Sequence, residues 1–256
     1  MELKDKVIVV TGAGSGIGAA MIRRFAQERP AALVAVDLDD EHVRAVAASA
    51  AATPLQADVA KEADVARVVT AVEAQHGRID LFCSNAGILV LGGADTPNEQ
   101  WQRTFDVNVM AHVYAARALL PGMLARGGGY LLNTASAAGL LTQLGSATYS
   151  VTKHAALAFA EWLAITHRDQ GLKVSLLCPQ AVRTAMLGDF ADGGVAGVDG
   201  VMEPSQVADI VVDGLRDERF LILPHPEVAE YFRRKATDYD RWLAGMARLQ
   251  RRFMPS

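Results

Sequence analysis

The sequence predicts an α/β fold: one doubly wound domain on a seven-stranded parallel sheet with helices on both faces. Two observations carry the prediction. Seven short apolar runs alternate with longer stretches of helical period along 256 residues. No Pro/Gly/Ser-rich linker or internal repeat divides the chain, so 1–256 reads as a single domain. Strand–helix alternation makes the strands parallel, and right-handed crossovers cover both faces of the sheet.

Lys6–Val10 reads as the first strand, and a glycine turn leads from it into a helix near Gly16–Glu28. Ala32–Val36 is the next strand and Glu41–Ala50 the next helix. Thr53–Ala57 and Leu81–Ser84 are strands around a helix near Lys61–His76. Tyr130–Thr134 lies between two long helices, near Phe105–Ala125 and Thr148–Arg168. Lys173–Leu177 and Phe220–Leu223 complete a sheet of Rossmann type.

Two stretches break this rhythm. Residues 186–202 are small, polar and glycine-rich, which predicts a mobile substrate loop. The tail, Glu227–Phe253, spaces Val228, Tyr231, Phe232, Trp242, Leu249 and Phe253 as one amphipathic helix, with arginines on much of its other face. Docking on its own domain or a neighbouring subunit is the expected use of such a face.

The bulk numbers exclude several classes. A net charge of -4 does not suit a nucleic-acid binder. No run is long enough to span a bilayer and the N-terminus has no signal-peptide core, so the expected location is cytoplasmic. Cys83 and Cys178 sit in apolar runs, as small core residues of a reducing compartment do. No His/Cys cluster has metal-ligand spacing.

The first strand runs directly into Thr11-Gly12-Ala13-Gly14-Ser15-Gly16-Ile17-Gly18. Glycine permits positive φ and close backbone approach, and the following helix start offers unpaired N–H groups to a pyrophosphate. Gly12, Ser15, Gly16, Ile17 and Gly18 are therefore candidate cofactor contacts. The glycine pattern is TGxxxGxG rather than GxGxxG. Asp37 closes the second strand, about 20 residues on, where an acid accepts from the adenosine ribose hydroxyls and repels a 2′-phosphate. Leu38 supplies no compensating cation, so NAD is expected over NADP.

Tyr149 and Lys153 are spaced i, i+4 on a predicted helix, hence on one face. At an effective dielectric near 20, two charges about 4 Å apart interact by roughly 4 kcal/mol, about three pKa units. That would bring a tyrosine near neutrality and make it a usable acid–base. Ser136, just past a strand, could hold a substrate oxygen beside it. Taken alone, a Tyr-x-x-x-Lys pair could equally be an exposed pair on a helix.

With these motifs in order, the chain from Asp5 to about Met186 resembles the short, compact branch of the short-chain dehydrogenases/reductases. The resemblance rests on Thr11–Gly18, Asp58-Val59, Asn85-Ala86-Gly87, Asn108, Ser136 and Tyr149/Lys153. It implies that Tyr149 is the general acid–base, and that Lys153 holds the nicotinamide ribose and lowers the tyrosine pKa. Ser136 would orient the substrate oxygen, and Asn108 would hold a water that relays the proton through Lys153. Asp58 and Val59 would contact adenine. The turn of Asn85, Ala86 and Gly87 would line the cofactor cleft, with Asn85 acting mainly on the sheet.

Pro179–Thr184 resembles the family's PGxVxT segment, which places Val182 and Thr184 at the carboxamide. Gln180 stands where glycine is usual. The resemblance also implies a homo-oligomer, usually a tetramer.

The expected activity is hydride transfer between a secondary alcohol or ketone and NAD. An NADP-linked ketone reductase and a non-catalytic nucleotide-sensing protein on the same fold are the alternatives. The loop at 186–202 has only Arg183 nearby and no basic cluster, which points to a neutral, moderately hydrophobic small-molecule substrate.

Overall fold

A computed structural model describes residues 1–188 and 192–253. The strands are β1 (Val7–Thr11), β2 (Ala32–Asp37), β3 (Thr53–Gln56), β4 (Leu81–Ser84), β5 (Gly129–Thr134), β6 (Leu172–Leu177) and β7 (Leu221–Ile222). They form one parallel sheet in the order β3-β2-β1-β4-β5-β6-β7. The helices are α1 (Gly16–Ala26), α2 (Asp40–Ser49), α3 (Glu62–His76), α4 (Asn98–Phe105), α5 (Ala111–Ala125), α6 (Ala138–Leu141), α7 (Ala147–His167), α8 (Pro204–Arg216), α9 (Glu227–Thr237) and α10 (Tyr239–Phe253).

The continuous apolar strands follow from burial on both faces. In β1, Val7 and Val9 join one core with Val68 and Val72 of α3, Leu119 of α5 and Leu163 of α7. Ile8 and Val10 point the other way, onto Met21 and Phe25 of α1, Val43 of α2 and Val211 of α8. Period-two side chains therefore build two cores from one strand. Strands are added outward on one side of β1 up to β3 and on its other side from β4 onward, so the strand order switches between β1 and β4, and that crevice is where such sheets bind ligands.

Two sequence expectations need correction. The helix expected over Phe105–Ala125 begins at Asn98, after Pro97, and is interrupted by a π-helical turn at Asp106–Met110. The single tail helix is two, α9 and α10, broken where Asp238 turns extended (φ -150, ψ 92). Its carboxylate then caps α10 by accepting from Arg241 N at 3.0 Å. Aspartate is favoured at an N-cap, and this local bond competes with continuing the helix.

Within the loop at 186–202, 3-10 turns form at Ala185–Leu187 and Gly194–Gly197. Residues 189–191 of that loop lie outside the described residues. Finally, α8 went unassigned from sequence although Pro204 stands in its first turn and Gln206 Oε1 accepts from Glu203 N.

Among the described residues no helix is long and apolar enough to cross a membrane, and no group of three His, Cys, Asp or Glu could hold a metal ion.

Candidate active site

A cleft of about 1500 Å³ opens at the carboxyl ends of the strands. Every residue expected at the cofactor or the reacting centre lines it, except Gly18 and Asn108, which are buried behind its wall.

At the first end, β1 hands over to α1 through Gly12 (φ +64) and Gly16 (φ +51). A Cβ on Gly12 would stand 2.7 Å from Ala86 Cα, and one on Gly18 would fall 2.0 Å from Gly12 O. The TGxxxGxG spacing therefore records two backbone crossings, turn on turn and helix on turn. Ser15 is the N-cap of α1 but its side chain makes no capping bond, so the helix start keeps free N–H groups.

Asp37 ends β2 at the cleft. Its carboxylate accepts from Gly14 N (2.8 Å) and Asp39 N (3.0 Å), which fixes its orientation and leaves lone pairs for further donors. Leu38 is 56% exposed beside it. Asp58 is paired with Arg103 Nη1 at 3.3 Å, a lining cation that the sequence did not single out.

Asn85 acts on the sheet. Its Nδ2 donates to Thr11 O (3.2 Å) and Gly12 O (3.4 Å), while its Oδ1 accepts from Thr134 Oγ1 (3.1 Å). It thus stitches β1 to β5 across the end of β4. Neighbouring Gly87 is narrow for a reason: a Cβ there would stand 3.3 Å from Lys153 Nζ and 3.4 Å from Asn108 Oδ1.

The second region gathers Ser136, Tyr149 and Lys153. Ser136 follows β5, donating to Pro179 O (3.3 Å) and accepting from Ala138 N (3.1 Å). Tyr149 stands in the first turn of α7, where Ser146 Oγ caps by accepting from Tyr149 N at 3.2 Å. Lys153 is one turn on and 2% exposed. Its Nζ donates to Thr134 O at 3.1 Å and lies 5.5 Å from the Tyr149 ring centroid.

This geometry revises the electrostatic expectation. The ammonium lies 5.5 Å from the ring centroid and is bonded to a backbone carbonyl, with no hydrogen bond to the phenol oxygen. Burial therefore pushes the Tyr149 phenol up from its ordinary value, with the Ser136 hydroxyl opposing. Burial also brings Lys153 down to about 8.

Asn108 is neither an exposed amide nor a bystander at a kink. It sits in the π-helical turn and is fully buried. Its Oδ1 accepts from Ile88 N (2.9 Å), and its Nδ2 donates to Ile88 O (2.9 Å) and Thr152 Oγ1 (3.1 Å). The extra residue of a π turn re-aims a side chain, here onto the β4–α4 loop and α7. One turn later His112 is buried with neither ring nitrogen bonded. Burial, then the Lys153 charge, lowers it to about 3, so it stays neutral.

Val182 and Thr184 line the cleft beyond β6, and Thr184 Cγ2 would lie 2.9 Å from a Cβ on Gly16. Gln180 stands in the glycine position, against His225. The backbone N–H of Gln180 donates to His225 Nδ1 at 3.2 Å. The Gln180 Oε1 is buried without a partner.

The far end is built by the tail. Lys235 of α9 is buried and donates to Leu140 O at 2.7 Å, anchoring the tail to α6. Tyr231 Oη donates to Asp199 Oδ1 at 2.8 Å, tying α9 to the loop. Arg233, Arg234, Arg241, Trp242, Arg248 and Leu249 then line the same cleft as Tyr149. The expectation that no basic cluster lies near the substrate site is therefore overturned. The apolar stripe was visible in sequence, but nothing local said where it docks.

The family model for short chain dehydrogenases matches residues 6–193. The chain is 37% identical over 235 residues to 1-deoxy-11-beta-hydroxypentalenate dehydrogenase of Streptomyces exfoliatus, covering 89% of this chain and 86% of that protein. It is 35% identical over 190 residues to meso-2,3-butanediol dehydrogenase of Serratia marcescens, covering 73% and 75%. A solved short chain dehydrogenase/reductase from Burkholderia phymatum, in complex with NAD, superposes with a TM-score of 0.85 at 28% identity, covering 94% and 96%.

Proposed function

This chain belongs to the short-chain dehydrogenase family, and we propose that it is an NAD-dependent oxidoreductase interconverting a secondary alcohol and a ketone. One observation carries the reading. The glycine turn with Asp37 and the group Ser136, Tyr149 and Lys153 share the wall of one continuous cleft. The names of the relatives, dehydrogenases of a hydroxypentalenate and of a butanediol, support a hydroxyl substrate.

The residues present fit a dinucleotide. Gly12 and Gly18 let the turn pack closely on the backbone beneath it, the start of α1 offers N–H groups to phosphates, and Asp37 suits the diol of an unphosphorylated ribose. Asp58 and Val59 would flank adenine, and Val182 and Thr184 the carboxamide. When bound, the nicotinamide ring supplies the carbon that accepts or donates hydride.

The protein's share is placement and proton handling. Ser136 Oγ turns from Pro179 O to hold the substrate oxygen. The Tyr149 phenol gives that oxygen a proton in reduction and takes it in oxidation. Lys153, held by Thr134 O, orients the ribose and supports the phenolate. Asn108 keeps the Ile88 loop and α7 in register beside it. Tyr149→Phe should lower turnover by about 10²–10⁴-fold while NAD still binds; near wild-type turnover would refute the assignment.

The outer face of α7 supports the homo-oligomer reading. Trp162 is 54% exposed and Ile165 80% exposed, an apolar strip of the kind that marks an interface. Sedimentation showing only monomer would remove it. Cys83 and Cys178 are both buried and unpaired, which supports a reducing, cytoplasmic setting.

A further inference from the structure

We propose that the substrate carries an anionic group, a carboxylate in the first instance, on a hydrophobic body, and that Arg241 and Arg248 receive it at the mouth of the cleft. The inference rests on the dehydrogenase reading of the site and names the substrate class it takes.

Three observations converge. First, α10 faces the cleft with Arg241, Trp242, Gly245, Arg248 and Leu249, a stripe with apolar residues between two cations. The arginines are seven residues apart, hence about 10 Å along one face. Second, the space between them is open: a Cβ on Gly245 would have only Arg248 Nη2 within 4 Å, at 3.8 Å.

Third, the tail's other lining arginines are already engaged. Arg233 and Arg234 both pair with Glu230 (2.8 and 2.7 Å). Among the described residues, neither Arg241 nor Arg248 has a carboxylate partner. Among the described residues that line this end of the cleft, the acid is Asp238, and it accepts from the backbone N–H of Arg241. A planar guanidinium fork matches a carboxylate in two parallel hydrogen bonds. An apolar substrate body would lie against Trp242 and Leu249, with its reacting carbon towards Tyr149.

The test uses binding, so it does not depend on finding the substrate. Decanoate and decan-1-ol, equal in chain length but one anionic and the other neutral, are titrated calorimetrically into the NAD-loaded protein. Wild type should bind decanoate about tenfold more tightly at low salt, and the margin should shrink as salt rises because the pairs are solvent-facing. R241A/R248A should lose the margin. R251A, which removes a charge outside the cleft, should keep it.

Equal binding of the two probes by wild type, or a margin that survives R241A/R248A or vanishes in R251A, overturns the proposal. A chain that binds decanoate as described but shows no Tyr149-dependent turnover would instead overturn the enzyme reading, so the two failures are separable.

Discussion

The two ends of the cleft are built on different principles. At the nucleotide end the walls are turns between a strand and the next helix, each short and fixed by backbone contact. Gly12 rests on Ala86, Gly18 crosses Gly12 O, and Asp37 is clamped by Gly14 N and Asp39 N. At the tail end the wall is a helix pair joined at Asp238, with no buried residue in α10. It is held by side chains such as Lys235 and Tyr231. Charge differs as well. Acids Asp37 and Asp58 mark the first end, whereas arginines mark the second, on a chain whose net charge is -4. The difference teaches that one end is made to hold a constant partner and the other to be altered without unfolding the sheet.

The comparison can be broken most forcefully at the first end. Gly18→Ala pushes a methyl group against a backbone carbonyl. Overpacking of this kind costs about 1–3 kcal/mol; a thermal melt and an NAD titration should show lower stability and weaker binding. Unchanged NAD affinity would mean the glycine crossing is not what shapes the turn.

Removing α10 by ending the chain after Asp238 makes the opposite case. The sheet and NAD affinity should survive, while kcat/KM for a hydrophobic secondary alcohol falls about tenfold, the value of some 1.4 kcal/mol of lost contact. Loss of NAD binding on that truncation would erase the distinction between the ends.

A smaller effect is expected from Asp37→Ser, which removes a carboxylate from the proposed ribose site. The preference for NAD over NADP should narrow several-fold, by roughly 1 kcal/mol, as expected for a solvent-accessible charge. A preference that stays put would locate cofactor selection elsewhere.

The finest test is the pH profile. Burial raises Tyr149 above its ordinary value, so alcohol oxidation, which needs the phenolate, should climb with pH through the neutral and mildly alkaline range. Lys153 loses its proton above about 8 and with it the charge that supports the phenolate, so the profile should bend there. Ketone reduction, which uses the protonated phenol, should slope the other way. An oxidation rate flat across this range would disconnect the pair from the chemistry.

The first end was legible in the sequence because its signals are local. A strand, a glycine turn and an acid about 20 residues on are set by sterics within a few residues, and the structure brings them together. The i, i+4 spacing likewise put Tyr149 and Lys153 on one face of α7. What spacing could not give was the third dimension of that pair. Lys153 Nζ lies 5.5 Å from the ring centroid and bonds Thr134 O, so burial outweighs the charge effect expected from separation alone. The π-helical turn at Asn108 was hidden too, because the phase shift made by one extra residue is hard to tell from ordinary irregularity in a largely apolar helix.

The chain's own order of residues thus determined the sheet, its two cores and the cofactor cradle, since apolar alternation and glycine sterics act between neighbours. Only the tertiary structure decided that Asp238 would break the tail, that Lys235 would pin it to Leu140, and that Arg241 and Arg248 would face the same cleft as Tyr149. The physical reason is that an amphipathic stripe specifies that a helix must dock, while the surface it docks on is assembled from segments far away in the chain.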